Sequence, residues 1–87
     1  MNTISESELA LVAKTRALKR MNIIQTEAGR YRVIVNLNNQ EDELELVTFR
    51  KTTREWSSLD RLIKHIQEKY GAMPNITLSL YSGEASK

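Results

Sequence analysis

The sequence contains no cysteine and only one histidine, one proline and three glycines among its 87 residues. Without cysteine, the chain cannot form a disulfide, a thiolate zinc site or a thiol nucleophile. One histidine leaves any zinc site dependent on carboxylates, which is unlike the usual ligand sets. The glycines are isolated, so no glycine-rich loop can hold a phosphate. We therefore expect no metal, no cofactor and no enzymatic activity.

Long apolar runs are also absent, and the longest are far too short to span a bilayer. The first residues, Met1–Glu6, lack the basic and apolar regions of a signal peptide. We expect a cytoplasmic protein without membrane contact. Residues 1–87 should form a single domain, and its stability margin should be small because a chain of this size buries only about 60% of its unfolded surface.

A helix is predicted near the start of the chain. Ser5 has the character of an N-cap, and Glu8 can complete a capping box with it, while Ile4 and Leu9 occupy the positions of a hydrophobic staple. We expect this helix to cover Glu6–Met21. Its apolar stripe is narrow, and a single small sheet would leave part of it uncovered.

Alternation of apolar and polar residues predicts four strands. They are a short one at Ile23–Thr26, then Tyr31–Leu37, Leu44–Arg50 and Ile76–Leu80. The polar turn Asn38–Asp42 should join the second and third as an antiparallel hairpin. The third strand is apolar on both faces, which is typical of a central strand covered on two sides or by a second subunit.

A second helix is predicted after Trp56-Ser57-Ser58, with Ser57 as its cap and Gly71 as its left-handed C-cap. Its apolar residues fall on one face: Leu59, Leu62, Ile63, Ile66 and Tyr70. The expected fold is therefore α+β, a small two-layer domain of order α-β-β-β-α-β. Its sheet should be mostly antiparallel with a helix packed across it. The connection between its third and last strands is long enough for a crossover that lets them run parallel, and residues 1–4 and 82–87 should fray.

The net charge of +2 is too small to indicate nucleic acid, but the basic residues are grouped. One group, the basic rim, comprises Arg30, Arg32, Arg50, Lys51 and Arg54. A secondary basic patch comprises Lys14, Arg16, Lys19 and Arg20, and it also suits the negative end of a helix dipole. The acidic stretch Glu41-Asp42-Glu43 lacks the spacing of a calcium loop and reads as a solvated turn.

Two interpretations of the bend Arg50–Arg54 remain open. In the first, it is a solvent-exposed connection with a tight turn at Thr52-Thr53, and Trp56, just after it, closes the edge of the core. In the second, its cations receive an anion such as a phosphate or an acidic segment. Tyr31 and Phe49 are both expected in the core, which leaves no aromatic platform for bases.

The segment "LVTFRKTTREWSSLDRLIKHIQEKYG", Leu46–Gly71, resembles small accessory proteins encoded on bacterial plasmids and integrated mobile elements. It shares with them a strand, a basic bend, an aromatic before Ser-Leu-Asp and an amphipathic helix that ends in glycine. The resemblance covers about a third of the chain. It implies a bacterial protein involved in DNA maintenance or transfer, and it assigns no binding residues.

Together these observations predict a non-enzymatic binding module that acts through protein–protein contact. The surplus of apolar surface on the first helix and on Leu44–Arg50 favours a homodimer, which would bury that surplus. The alternative is a nucleic-acid-binding accessory protein that uses the basic rim for phosphate contacts.

Overall fold

The computed structural model describes residues 2–38, 41–71 and 75–81. They form an α+β fold with a mixed sheet and two helices, as predicted. The elements are β1 (Asn2–Ser5), α1 (Glu6–Lys14), β2 (Leu18–Gln25), β3 (Tyr31–Leu37), β4 (Glu43–Val47), β5 (Glu55–Trp56), α2 (Leu59–Lys69) and β6 (Ile76–Ser79). The predicted order α-β-β-β-α-β therefore missed the first strand and the two-residue strand β5.

The sheet has the strand order β1-β4-β3-β2-β6, and β5 pairs with β3 beside the end of β4. The predicted hairpin is present, because β3 pairs antiparallel with β4 and also with β2. The two outer strands pair parallel, β1 with β4 and β6 with β2. Strands β4 and β6 thus run in the same direction, as the crossover through α2 suggested, but two strands separate them.

One core lies between the two helices and one face of the sheet. Leu9 of α1 and Leu62 and Ile66 of α2 are buried in the same cluster as the inward side chains of the sheet. Those inward residues include Ile4, Met21, Ile23, Val33, Val35 and Leu46. On the other face, Ile34 and Val47 are buried outside this cluster. The domain therefore has two layers, with both helices on the same side.

The start of α1 is as predicted. The Glu8 backbone N–H donates to Ser5 Oγ at 3.2 Å, and the Ser5 N–H donates to Glu8 Oε1 at 2.9 Å. Ile4 and Leu9, the two staple positions, are both buried. Residues 2–4 belong to β1 instead of fraying, because Ile4 packs into the core and β1 pairs with β4. Residues 82–87 lie outside the described residues.

The predicted end of the first helix was wrong. Helix α1 ends at Lys14 instead of Met21, where Thr15 Oγ1 donates to the Leu11 carbonyl at 3.1 Å and Arg16 turns to φ 61°. The chain then enters β2, whose register shifts between Leu18 and Arg20. This bulge puts Leu18 and Met21 on the same face at a spacing of three, which imitates a helical pattern. The strand predicted at Ile23–Thr26 is therefore the second half of a longer one.

The apolar face predicted for α2 is confirmed at its centre, where Leu62 and Ile66 are buried. The N-cap is Ser58 instead of Ser57, and its Oγ accepts the Arg61 N–H at 3.4 Å. Gly71 follows the helix with φ 77°, the left-handed conformation that lets the chain leave a helix without a Cβ clash. The prediction that Pro74 prevents the helix from resuming falls on a residue outside the described ranges.

The capping box makes the stability of the fold depend on pH. The hydrogen bonds from Ser5 hold the pKa of Glu8 below its usual 4.5, with a smaller contribution from the Lys51 ammonium. A carboxyl whose pKa is lowered by folding stabilises the fold above its unfolded pKa, and this contribution is lost as the pH falls through the folded pKa. The unfolding free energy of the wild type should therefore decrease below about pH 4.5.

We expect the unfolding free energy of Glu8→Gln to decrease less at acid pH than that of the wild type. Glutamine can still close a capping box, so the variant should stay close to the wild type at pH 7. The measurement is the urea midpoint of both proteins at neutral and at acid pH, repeated in a Ser5→Ala background. Removing the Ser5 hydroxyl should shrink the difference between glutamate and glutamine, and parallel pH curves for wild type and Glu8→Gln would contradict the assignment.

Candidate functional site

The outer edge of β6 is an open edge of the sheet. β6 pairs with β2 on its inner side, with Ile76 opposite Met21 and Leu78 opposite Ile23, and no other described strand pairs with it. All four residues of β6 are exposed. An open strand edge presents a row of backbone donors and acceptors to any second strand.

The apolar face of β6 is uncovered. Ile76 is 40% exposed and Leu78 is 44% exposed, although both lie on the same face as the core residues opposite them. Leu80, which follows the strand, is 66% exposed. The exposure of these side chains shows that neither described helix fully covers this end of the core. The sequence predicted surplus apolar surface on the first helix and on Leu44–Arg50. Apolar side chains are exposed there, at Leu11 and Phe49, and also along β6.

The polar face of β6 is anchored to the body of the sheet. Thr77 Oγ1 donates to Asn22 Oδ1 at 2.7 Å, and Ser79 Oγ donates to the same atom at 3.3 Å. The Tyr81 N–H donates to Gln25 Oε1 at 3.1 Å. These bonds hold the strand in place on one side, so its outer edge is presented as a fixed surface.

The opposite edge of the sheet is different in character. Its strand β1, Asn2–Ser5, is as short as β6, but its exposed side chains, Asn2 and Thr3, are polar. The one apolar residue, Ile4, is buried in the core. A short polar edge is one of the ordinary ways in which proteins prevent strand pairing. Of the two described edges, only β6 offers apolar side chains.

A hairpin closed by Thr48 and Thr52 separates β4 from β5. Val47 bridges to Thr53, and the chain reverses at Phe49, Arg50 and Lys51, which we call the hairpin tip. The tight turn is therefore at Phe49–Lys51 instead of Thr52-Thr53. The Thr48 N–H donates to the Thr52 carbonyl at 2.7 Å, and their hydroxyls are 2.8 Å apart. The Thr48 Oγ1 also accepts the Arg50 N–H at 3.2 Å.

Phe49 is 96% exposed, so its assignment to the core was wrong. The predicted strand Leu44–Arg50 ends at Val47 because the hairpin begins there, and Phe49 stands at its turn instead of in the sheet. Lys51 adopts φ 69°, a left-handed conformation that costs a non-glycine residue roughly 1–2 kcal/mol. The hairpin tip therefore combines an exposed aromatic ring with two exposed cations on a hydrogen-bonded turn.

Within the described residues, some members of the predicted basic rim have side-chain partners and others are exposed. Arg32 pairs with Glu45 at 2.8 Å, and Glu45 also accepts the Thr53 hydroxyl at 3.0 Å. Arg54 lies over the Trp56 ring, with its Cζ 4.6 Å from the ring centroid. The remaining members, Arg30, Arg50 and Lys51, are exposed.

The secondary basic patch is not a helix surface. Lys14 ends α1, Arg16 lies in the turn after it, and Lys19 and Arg20 are exposed residues of β2. Arg20 pairs in register with Asn36 of β3, at the end of the sheet away from the hairpin tip. The helix-dipole explanation therefore applies to Lys14 only.

Glu6 joins the start of α1 to α2 through a small polar cluster. Its Oε1 lies 2.9 Å from His65 Nε2 and accepts the Tyr70 hydroxyl at 3.4 Å. The Arg54 Nε is 3.3 Å from Glu6 Oε2 and is shielded from solvent, but its geometry is not that of a hydrogen bond. This contact is therefore an ion pair without a directed bond.

Aromatic contacts complete this cluster. The His65 ring lies 5.3 Å from the Trp56 ring and 5.8 Å from the Tyr70 ring, the latter edge-on. Burial raises the pKa of Tyr70 well above its usual range, and the negative charge of Glu6 adds to this effect. Tyr70 thus stays a neutral donor, and Trp56 closes the core edge as expected. The cluster fixes the two helices to each other.

The acidic loop lies around an open depression bordered by Asn2, Asn36, Glu41, Asp42 and Glu43. Within the described ranges, no three His, Asp or Glu side chains are placed to hold a metal ion together. A second depression of about 340 Å³ lies between α1 and the sheet, and its most exposed apolar residue is Leu11.

Comparison with protein-family models, curated proteins and solved structures finds no match. In the described part of the chain, neither helix is long and apolar enough to cross a membrane. Two exposed surfaces of the described chain carry apolar side chains suited to binding, the outer edge of β6 and the hairpin tip.

Proposed function

We propose that the protein is a non-enzymatic binding module that acts through protein–protein contact and associates with a second copy of itself through the outer edge of β6. The observation that carries the proposal is the open edge with its exposed Ile76, Leu78 and Leu80. A cytoplasmic location and a mobile-element context stay predictions from the sequence.

The sequence of β6 suits pairing with itself. Residues 76–80 read Ile-Thr-Leu-Ser-Leu, so apolar and polar residues alternate symmetrically about Leu78. In an antiparallel pair centred on Leu78, this residue faces its own copy and Ile76 faces Leu80. Facing residues lie on the same side of a sheet, so apolar meets apolar and polar meets polar across the two-fold axis.

The backbone of β6 agrees with this register. The Met21 N–H donates to the Asn75 carbonyl at 2.9 Å, so the backbone groups of Asn75 point toward β2. Successive residues of a strand direct their backbone groups to alternate edges. The groups of Ile76, Leu78 and Leu80 therefore point outward, and a pair centred on Leu78 is one in which facing residues exchange both hydrogen bonds.

Charge also favours a second copy as the occupant. Residues 75–81 contain no charged side chain, so two copies can approach without like-charge repulsion. They also contain no lysine and no proline, the residues that most often protect an edge strand. Association would bury apolar surface that the single chain leaves exposed, and it would stabilise a small domain by mass action.

The test is sedimentation equilibrium or light scattering over a wide micromolar range. We expect about twice the 10.0 kDa of the single chain for the wild type. Leu78→Lys places two cations opposite each other and should give a monomer. Leu80→Lys places a cation opposite Ile76 at both ends of the pair and should also give a monomer. It is safer for folding, because Leu80 is 66% exposed.

The matched control is Leu11→Lys, since Leu11 is 62% exposed on α1. It should leave the dimer intact. A wild type that stays monomeric throughout the range would overturn self-association. A dimer that survives both β6 changes, or that Leu11→Lys dissociates equally well, would place the interface elsewhere and contradict the role of β6.

A further inference from the structure

We propose that the hairpin tip binds single-stranded nucleic acid, with the Phe49 ring stacked on a base and with Arg50 and Lys51 on the adjacent phosphates. This inference is independent of self-association, because the strand from which the tip leaves and the outer edge of β6 lie toward opposite sides of the sheet. The strand order puts β4, from which the hairpin leaves, next to β1, whereas β6 is the last strand on the other side.

The exposure of Phe49 is the first observation. Its side chain is 96% exposed, whereas the only tryptophan, Trp56, is buried and Tyr31 packs against the core. A flat aromatic ring without neighbours is the feature that a stacking platform needs, because every base offers a face to it. The ring therefore supplies the platform that the sequence alone did not indicate.

The hydrogen bonding of the turn is the second observation. Thr48 and Thr52 close the hairpin through their backbone and their hydroxyls, and the Lys51 N–H donates to the Thr48 carbonyl at 2.9 Å. A binding element that is already ordered loses less conformational entropy when a ligand arrives. Phe49 is thus held outward by the backbone below it.

The two cations are the third observation. Arg50 and Lys51 are exposed, and within the described part of the chain neither forms an ion pair, whereas Arg32 and Arg54 do. Lys51 also occupies the left-handed position of a three-residue hairpin loop, where glycine is usual. A lysine there adds a charge next to the exposed ring at the expense of backbone strain.

The chemistry of the tip favours a nucleic acid over a lipid surface. Phe49 is the only apolar residue between Thr48 and Thr52, so a membrane would gain a single inserted side chain. Weak anchors of this kind need a second signal to hold a protein on a membrane. A base and its phosphates, in contrast, use the ring and both cations. The base must be unstacked to meet the ring, so the ligand is single-stranded.

The test is fluorescence anisotropy with labelled oligothymidylate and oligouridylate of about 12 nucleotides, which is within the usual site sizes. We expect saturable binding at low salt. Phe49→Ala should weaken it roughly 5- to 150-fold, the range found when a stacking aromatic is removed. It should leave the salt dependence unchanged, since it removes no charge.

The charge variant is Arg50→Gln with Lys51→Asn, because asparagine tolerates the left-handed conformation. Two lost phosphate contacts should reduce the slope of log affinity against log salt by about 1.4. Leu11→Ala is the control for removing an exposed apolar side chain and should bind like the wild type. None of these variants should melt below the wild type, and the charge variant should melt slightly above it, because asparagine relieves the backbone strain at position 51.

Three results would overturn the proposal. They are no binding by the wild type at low salt, equal binding by Phe49→Ala and wild type, and binding to duplex DNA that is as tight as to the single strand. Vesicles of anionic phospholipid form the last arm. Protein that sediments with them but does not bind the oligonucleotides would assign the tip to a membrane surface.

Discussion

We expect Leu62→Asp to unfold the domain and Lys64→Ala to leave it folded. Leu62 has no exposed surface, and it lies at the centre of the apolar face of α2, against the same core as Leu9 and Ile66. An unpaired carboxylate there should cost several kcal/mol, out of a total stability of about 5–15 kcal/mol for a domain of this kind.

Lys64 is exposed on the same helix, where substitutions usually change stability by less than about 0.5 kcal/mol. Far-UV circular dichroism of the two purified variants distinguishes these cases. A cooperatively folded Leu62→Asp protein would show that this face of α2 does not form the core.

After Leu62→Asp, we expect the largest effect from Trp56→Ala, which should lower the unfolding free energy by about 3–5 kcal/mol. Trp56 pairs with Tyr31 through β5 and is 9% exposed at the border of the core. It also supports the Arg54 guanidinium and contacts the His65 ring. Its removal therefore opens a cavity and at the same time loosens the cluster that joins the two helices.

Phe49→Ala is the matched control, because it also removes an aromatic ring but from a site that is 96% exposed. Its urea midpoint should equal that of the wild type. Since Trp56 is the only tryptophan, unfolding has to be followed by circular dichroism. If both substitutions destabilised the protein equally, Trp56 would not be part of the core.

The structure changes how the basic residues of Arg50–Arg54 should be understood. The sequence allowed two interpretations, a solvent-exposed connection or an anion site. The structure distinguishes two parts of the segment. Arg54 is used within the fold, by Glu6 and Trp56, whereas Arg50 and Lys51 extend on the hairpin beside Phe49. A substitution that removes all three cations would therefore change structure and surface charge together, and the tip variants avoid this.

Both proposed surfaces depend on features that a stable monomer does not need. An apolar edge strand exposes the chain to unwanted pairing, and a lysine in the left-handed region is strained. These features concern different parts of the chain and can be tested separately. If both proposals hold, the dimer would carry two hairpin tips, and single strands long enough to reach both would bind more tightly than short ones.

The sequence by itself determined the elements whose signals are local. The capping box at Ser5 and Glu8, the strand Tyr31–Leu37, the apolar face of α2 and the glycine after it were all predicted correctly. Each depends on hydrogen bonds or periodicity within a few residues, so neighbours along the chain are enough to specify it. The α+β class follows from these elements, because a helix and strands with one apolar face must bury those faces against each other.

Only the tertiary structure decided where α1 ends and what happens to Phe49. The stretch Leu18–Met21 has a helical spacing, but a bulge against β3 turns the same spacing into one face of a strand. Phe49 continues the alternation of β4, but the chain leaves the sheet at Val47 to form the hairpin. The pairing of β2 with β3 determined the first outcome. The second depended on the return of the chain from Thr48 to Thr52 and on the pairing of β5 with β3, which together end β4 before Phe49. Sheet pairing depends on contacts outside the segment, and the alternation within the segment does not encode it.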